Sequence, residues 1–251
     1  MISHVKRKQG VIKVSEKLEL VYEGKAKKLF QTENPNILWV EYLGQATALN
    51  GKKKDIIEGK GELNNKITST IFERLHEKGI QTHFIKQISE SEQLIEKMEM
   101  IPLEVVVRNI AAGSFTRRLA VEEGSVLPFP IVEFYYKEDA LDDPFINDDH
   151  VKALNIATSE EIELLKKSAL AINQALITIF KEINIRLVDF KLEFGKNVNG
   201  EIVLADEVSP DTCRLWDATT NERLDKDIYR KDLGDILPIY DEVLKRFEST
   251  K

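Results

Sequence analysis

The chain has 251 residues, a net charge of −7 and an apolar share of 42%, a size and composition that suit one large domain or two lobes of one enzyme. The acidic balance argues against a broad nucleic-acid surface, and no apolar run approaches the roughly 20 residues that a membrane helix needs. The single cysteine, Cys213, can form no internal disulfide and no zinc site by itself; with no apolar signal-peptide core at the N-terminus, a reducing cytoplasm is the expected setting.

Residues 1–16 form an extension carrying Lys6, Arg7, Lys8 and Lys13 with little apolar periodicity, the pattern of a solvated tail. Short runs rich in β formers predict strands at 18–23, 28–32 and 37–43, with a tight turn at 24–27 between the first two. Leu63, Ile67, Ile71 and Leu75 recur at helical spacing, which predicts a helix over 62–78 stopped by Gly79. Strands follow at 82–88, 94–98 and 103–109, so the first part reads as mostly antiparallel sheet with one helix.

The second part is more helical. A short helix is expected at 111–121. A long one starts after Thr158, where Thr158 and Glu161 have capping-box spacing. Its buried stripe is Ile162, Leu165, Ala169, Ile172, Leu176 and Ile179. Residues 185–194 and 201–207 form a strand pair across a loop with Asn199-Gly200, and an amphipathic helix closes the chain at about 236–247.

The strand pair carries the most chemistry. Along 186–194, Asp189, Lys191 and Glu193 alternate with Val188, Phe190, Leu192 and Phe194. One face is therefore apolar and the other charged. Asp206, at the end of the next strand, can stand across from these acids. Two carboxylates and a lysine on one face suit a magnesium–nucleotide site, since magnesium takes one or two carboxylates plus phosphate oxygens and water. Cross-strand salt bridges on a solvated face are the alternative.

The following stretch, 206–217 (DEVSPDTCRLWD), reads as a loop in which Arg214 can grip a carboxylate or phosphate, or simply lie at the surface. Cys213 has no evident histidine partner and reads as a small, inert residue. At 22–27 a glycine lets backbone amides approach phosphate while Lys25 and Lys27 neutralise it; an ordinary hairpin turn has the same look. Ser114 follows Arg108 at a strand–helix junction that can present amides to an anion. His4, His76, His83 and His150 are scattered without metal-ligand spacing.

Taken together, the segments 22–27 (YEGKAK), 102–109 (PLEVVVRN), 112–114 (AGS), 187–195 (LVDFKLEFG) and 206–217 resemble, in order, the signatures of the SAICAR synthetase family. The resemblance runs from about Leu18 to the C-terminus. It implies an α+β, two-lobed fold similar to protein kinases and ATP-grasp enzymes. An N-terminal antiparallel β lobe (17–102) and a larger α+β lobe (103–251) would hold ATP between them. It implies a cytoplasmic homodimer that binds neither nucleic acid nor membrane. The implied reaction joins L-aspartate to the carboxylate of a carboxyaminoimidazole ribonucleotide (CAIR), yielding the succinocarboxamide, ADP and phosphate.

By the same resemblance, Gly24, Lys25, Ala26 and Lys27 cover the ATP phosphates and Met100 lies beside the adenine. Lys137 and Lys191 also point to phosphates, and Lys25, Lys27 and Lys191 are the catalytic cations. Glu193 and Asp206 would hold Mg2+. Arg108, Ser114, Asp189, Asp211, Arg214 and Arg230 would form the nucleotide-substrate site. Chemically, phosphoryl transfer onto the carboxylate would make an acyl phosphate that the amine of aspartate attacks, a reaction that needs cations and positioning rather than a protein nucleophile. One departure stands out: Gln45 occupies a place where the family pattern has an acid. A small-molecule kinase on the same scaffold and a nucleotide-binding regulatory module remain as other readings. A requirement for aspartate separates the first; the intact pair Glu193 and Asp206 speaks against the second.

Overall fold

The computed structural model describes residues 16–48 and 53–250, so the basic extension lies outside the described residues except for Glu16. The chain begins with strands β1 (Leu20–Glu23), β2 (Lys27–Gln31) and β3 (Ile37–Tyr42), then the small hairpin β4 (Gln45–Ala48) and β5 (Lys53–Ile56). Helix α1 (Lys60–Glu77) and strands β6 (Phe84–Gln87) and β7 (Glu92–Glu96) follow. Next come β8 (Glu99–Ile110), α2 (Ser114–Leu119), β9 (Val126–Tyr136), β10 (Phe145–Ile146), α3 (Asp148–Ala153) and α4 (Ser159–Glu182). The last elements are β11 (Ile185–Lys196), β12 (Ile202–Ala205), β13 (Cys213–Asp217), α5 (Asp227–Arg230) and α6 (Leu237–Glu248).

Two larger antiparallel sheets form beside the two-stranded β4–β5 sheet, an α+β arrangement as expected. The first has the order β1-β2-β3-β7-β6; the second runs β10-β9-β8-β11-β12, with β13 also on β11. The chain passes from one to the other between Glu96 and Glu99. The two sheets are stitched together where His83 donates its N–H to Leu204 O at 2.8 Å.

The apolar stripes lie where their periodicity puts them. Ile67, Ile71 and Leu75 of α1 are fully buried, and Gly79 ends the helix with φ +78°. The Thr158 hydroxyl accepts the Glu161 N–H and the Glu161 carboxylate accepts the Thr158 N–H, which completes the capping box of α4. Its stripe joins Phe190, Leu192 and Phe194 of β11 in the main core.

Three stretches differ from expectation. The helix expected over 111–121 spans only Ser114–Leu119, because Gly113 at φ +59°, ψ −126° and Ala120 at φ +52° are both outside helical geometry. Strand β9 went unseen in the sequence because Pro128 and Pro130 disqualify an interior strand. They are accommodated where its pairing with β8 slips, between the Arg108–Ile131 and Ile110–Val126 pairs. Residues 213–217, read as loop, form β13, which hides behind turn formers at 209–212 and gains its hydrogen bonds only from β11.

That last pairing creates the site. A single edge of β11 is shared by two strands: β13 pairs with residues 185–190 and β12 with 193–196. The chain linking β12 to β13, residues 206–212, therefore leaves the sheet opposite Lys191, whose N–H donates to Thr212 O at 2.8 Å.

Candidate active site

A cleft of about 400 Å³ opens where the strands split. Of the residues singled out in the sequence, Lys25, Arg108, Ser114, Asp189, Lys191, Asp211, Arg214 and Arg230 line it. Lys27, Lys137, Glu193 and Asp206 join the same ionic network at one end. Along β11, Asp189 and Lys191 line this cleft and Glu193 is tied to it through Lys191, while Phe190, Leu192 and Phe194 pack in the main core and Val188 in a small cluster with Ile110, Ala112 and Trp216.

The lysine-rich end is built from both sheets. Lys27 Nζ lies 2.7 Å from Asp206 Oδ1 and 3.3 Å from Glu207 Oε2. Lys191 Nζ lies 2.8 Å from Glu104 and 3.2 Å from Glu193, and Lys137 pairs with the other oxygen of Glu193. Lys25 reaches Asp139 at 2.7 Å. Burial opposes the charge on Lys27, yet Asp206 and Glu207 outweigh it and raise its pKa well above that of an ordinary lysine. Burial likewise pushes the Asp206 carboxyl up, but Lys27, Lys191 and Lys137 hold it well below the usual carboxylate range. Four lysines from three segments, two of them on the first hairpin, thus converge on one patch of carboxylates.

Gly24 and Ala26 shape the hairpin that carries Lys25 and Lys27: Gly24 N–H donates to Lys27 O at 2.8 Å and Leu43 N–H to Ala26 O at 2.7 Å. Met100, exposed near the start of β8, lies beside Gly195, where an added Cβ would come within 2.7 Å of Met98 Cβ and 3.2 Å of Met100 Sδ. A second hollow of about 380 Å³, lined by Tyr22, Leu29, Leu38, Lys97 and Met98, opens on this side of the first sheet.

The arginine-rich end is centred on Asp189. Arg108 donates to Asp189 Oδ2 at 2.8 Å and Arg214 to both its oxygens at 3.1 and 2.9 Å. Arg108 also donates to Glu133 at 2.7 Å and to Ser114 Oγ and Tyr135 Oη, each at 3.1 Å. Arg214 and Arg230 share Asp227, at 3.0 and 2.9 Å. Two planar guanidiniums are thereby fixed with hydroxyls beside them, an arrangement suited to gripping a phosphate. Gly113 is required here: a Cβ on it would fall 2.4 Å from Arg214 Nη2.

Between the two ends lies a buried ionic knot. Asp211 accepts from Lys60 at 2.5 Å and from the Tyr240 hydroxyl at 2.6 Å, with Lys226 at 3.5 Å. Lys60 is completely buried within α1. Sequence reading missed Lys60, Lys226 and Asp227, and no local pattern marks them: Lys60 opens α1, Asp227 opens the four-residue α5 and Lys226 immediately precedes it. Glu104 was legible, since it alternates with Val105 on the same strand as Arg108. Cys213 is buried and burial pushes its thiol pKa up, in keeping with an inert residue. Gln45 does not line the cleft, whereas Thr47, two positions on, does.

As for a metal, no group of three or more His, Cys, Asp or Glu side chains among the described residues could cage an ion. Glu193 lies on β11, paired with Ala205, the last residue of β12, and Asp206 follows directly. Two hard carboxylates beside a cluster of lysines fit the donor set magnesium takes, which it completes with phosphate oxygens and water.

Comparison with known proteins accords with this geometry. The SAICAR synthetase family model matches residues 20–247. A phosphoribosylaminoimidazole-succinocarboxamide synthase of Enterococcus faecalis is 64% identical over 231 residues, 92% of this chain and 98% of that protein. The crystal structure of the enzyme of that name from Ehrlichia chaffeensis superposes with a TM-score of 0.89 at 47% identity, over 92% of this chain and 98% of that one. A SAICAR synthetase in complex with ADP does so with a TM-score of 0.89 at 49% identity, over 93% and 99%.

Proposed function

Since the chain belongs to the SAICAR synthetase family, and is by family a ligase, we propose that it condenses L-aspartate with CAIR at the expense of ATP. The products are the succinocarboxamide SAICAR, ADP and phosphate, a step of purine biosynthesis. The observation that carries this reading is the division of one cleft into a lysine–carboxylate end and an arginine end, with Lys191 on the strand between them. A nucleoside triphosphate and a second phosphorylated substrate need two such anion sites side by side. The related synthetase in complex with ADP supports ATP as the occupant of the first.

In this reading Gly24, Lys25, Ala26, Lys27, Lys137 and Lys191 hold the phosphate chain, and the adenine lies near Met100. Glu193 and Asp206 would hold Mg2+, which when bound neutralises charge on the phosphates. Arg108, Ser114 and Arg214 hold the phosphate of the nucleotide substrate, with Asp189, Asp211 and Arg230 framing the rest of it. Lys25, Lys27 and Lys191 stabilise charge as the γ-phosphoryl group moves to the substrate carboxylate. The resulting acyl phosphate is attacked by the amine of aspartate, and phosphate leaves. The family likeness also carries a cytoplasmic location and a homodimer, the latter open to sedimentation.

Labelling tests the chemistry. CAIR carrying oxygen-18 in its carboxylate should yield inorganic phosphate with one labelled oxygen. Unlabelled phosphate alongside normal amide would eliminate the acyl phosphate, and ADP release independent of aspartate would eliminate the ligase.

A further inference from the structure

We propose that Lys226 is the base that takes a proton from the incoming amine during ligation. The proposal rests on the ligase reading above and adds a residue with a defined chemical task.

The amine of aspartate arrives as an ammonium ion, without a lone pair to attack with. Some group in the cleft must remove a proton, and most candidates are committed elsewhere. Asp189 is clasped by two arginines. Lys27 and Lys191 are held by carboxylates that raise their pKa. Asp211 is held far below the usual carboxylate range, because Lys60 and Lys226 outweigh the effect of burial. The Cys213 thiol is shifted upward.

Lys226 differs in each respect. It lines the cleft although its residue exposure is only 9%. Its N–H donates to Pro210 O at 3.1 Å, which fastens it to the acidic loop between β12 and β13. Its ammonium is the most distant of three partners on Asp211, at 3.5 Å against 2.5 Å for Lys60 and 2.6 Å for Tyr240. The charged groups around it are Asp211 and Glu207 from that loop, Lys60 from α1 and Arg230 from α5. Burial and the two cations push its pKa below that of an ordinary lysine, against the pull of the two acids. The neutral amine that base catalysis requires is therefore easier to reach here than on an ordinary lysine.

The position suits the task. On one side Glu207 pairs with Lys27 of the lysine end. On the other, Arg230 shares Asp227 with Arg214 of the arginine end. Lys226 thus lies between the proposed sites for the phosphates of the two substrates, where the activated carboxyl group would be.

The protons balance. The Lys226 lone pair takes one proton from the ammonium. The freed nitrogen lone pair forms the C–N bond to the acyl carbon. The C–O bond to the phosphoryl group breaks, and the departing phosphate accepts the second nitrogen proton. Lys226 then releases its proton to solvent.

The test compares Lys226→Ala and Lys226→Arg, each checked by thermal melting and ADP binding. Both should lose about 10²–10³-fold in kcat for amide formation, with the KM for aspartate changed far less. Added methylamine or ethylamine should restore part of the activity of Lys226→Ala and none of that of Lys226→Arg. An arginine variant within about threefold of wild type would overturn the proposal, since arginine keeps the charge but cannot act as a base. So would a folded alanine variant that binds both substrates and is not rescued. Should the alanine variant fail to fold, the arginine variant decides alone. Wild-type protein that makes no amide from aspartate and CAIR would instead defeat the ligase reading itself.

Discussion

Lys27 Nζ lies 2.7 Å from Asp206 Oδ1, although 179 positions separate the two residues along the chain. The contact joins the first hairpin to the point where β12 leaves the second sheet. Asp206 adopts φ +59° there, a backbone state tolerated by aspartate at some cost. The site is thus a junction between sheets, and its properties follow from which groups meet there.

Asp206→Asn and Glu193→Gln should each fold and yet lose magnesium-dependent turnover by about 100-fold or more. Metal-free ADP binding should change much less, because the lysines remain. Turnover titrated against magnesium is the measurement. Wild-type activity in either variant at low magnesium would remove both residues from the metal site.

Arg214→Ala should weaken CAIR binding by about 10–100-fold, as expected for losing a charge-assisted contact, and ATP binding by much less. Gly113→Ala should act in the same direction, because its Cβ would occupy the space of the Arg214 guanidinium at 2.4 Å and φ is +59°. Direct binding of each ligand by calorimetry distinguishes the effects. Equal losses for both ligands would mean that the loop as a whole had been disturbed.

Lys60→Met should destabilise the fold by about 3–5 kcal/mol, since it removes the closest cation from a buried carboxylate. The double variant Lys60→Met, Asp211→Leu should recover part of that loss in urea unfolding while remaining inactive. A single variant as stable as wild type would show that Lys226 and Tyr240 suffice to hold Asp211.

Acid sensitivity follows from Asp227. Burial raises the pKa of its carboxyl, but Arg214 and Arg230 outweigh that and hold it at about 2, against an ordinary value of 3.8. The folded pKa is the lower one. This carboxylate therefore contributes stability above about pH 4, and the contribution is lost as pH falls toward 2. Asp227→Asn should lower the melting temperature at pH 7 and flatten its fall between pH 4 and pH 2. Parallel melting curves for variant and wild type across that window would contradict the assignment.

Much of this was legible without coordinates. The stripes of α1 and α4, the Thr158–Glu161 cap and the two faces of β11 are consequences of local periodicity, which depends on neighbours three or four positions away, or two in a strand. The ordered motifs around Lys25, Arg108, Asp189 and Arg214 were enough to recognise the family, and that membership is borne out. Tertiary structure alone decided that 213–217 is a strand, since its hydrogen bonds come from β11. It alone brought Lys226 to the cleft and set the buried Lys60 and Asp227 against Asp211, Arg214 and Arg230, which line it. A buried lysine looks like any other until the carboxylate that justifies its burial is found, and for Lys60 that partner, Asp211, lies 151 positions away. Local pattern determines which face of an element is apolar; which charges meet, and so which amine loses its proton readily, depends on contacts that only the folded chain makes.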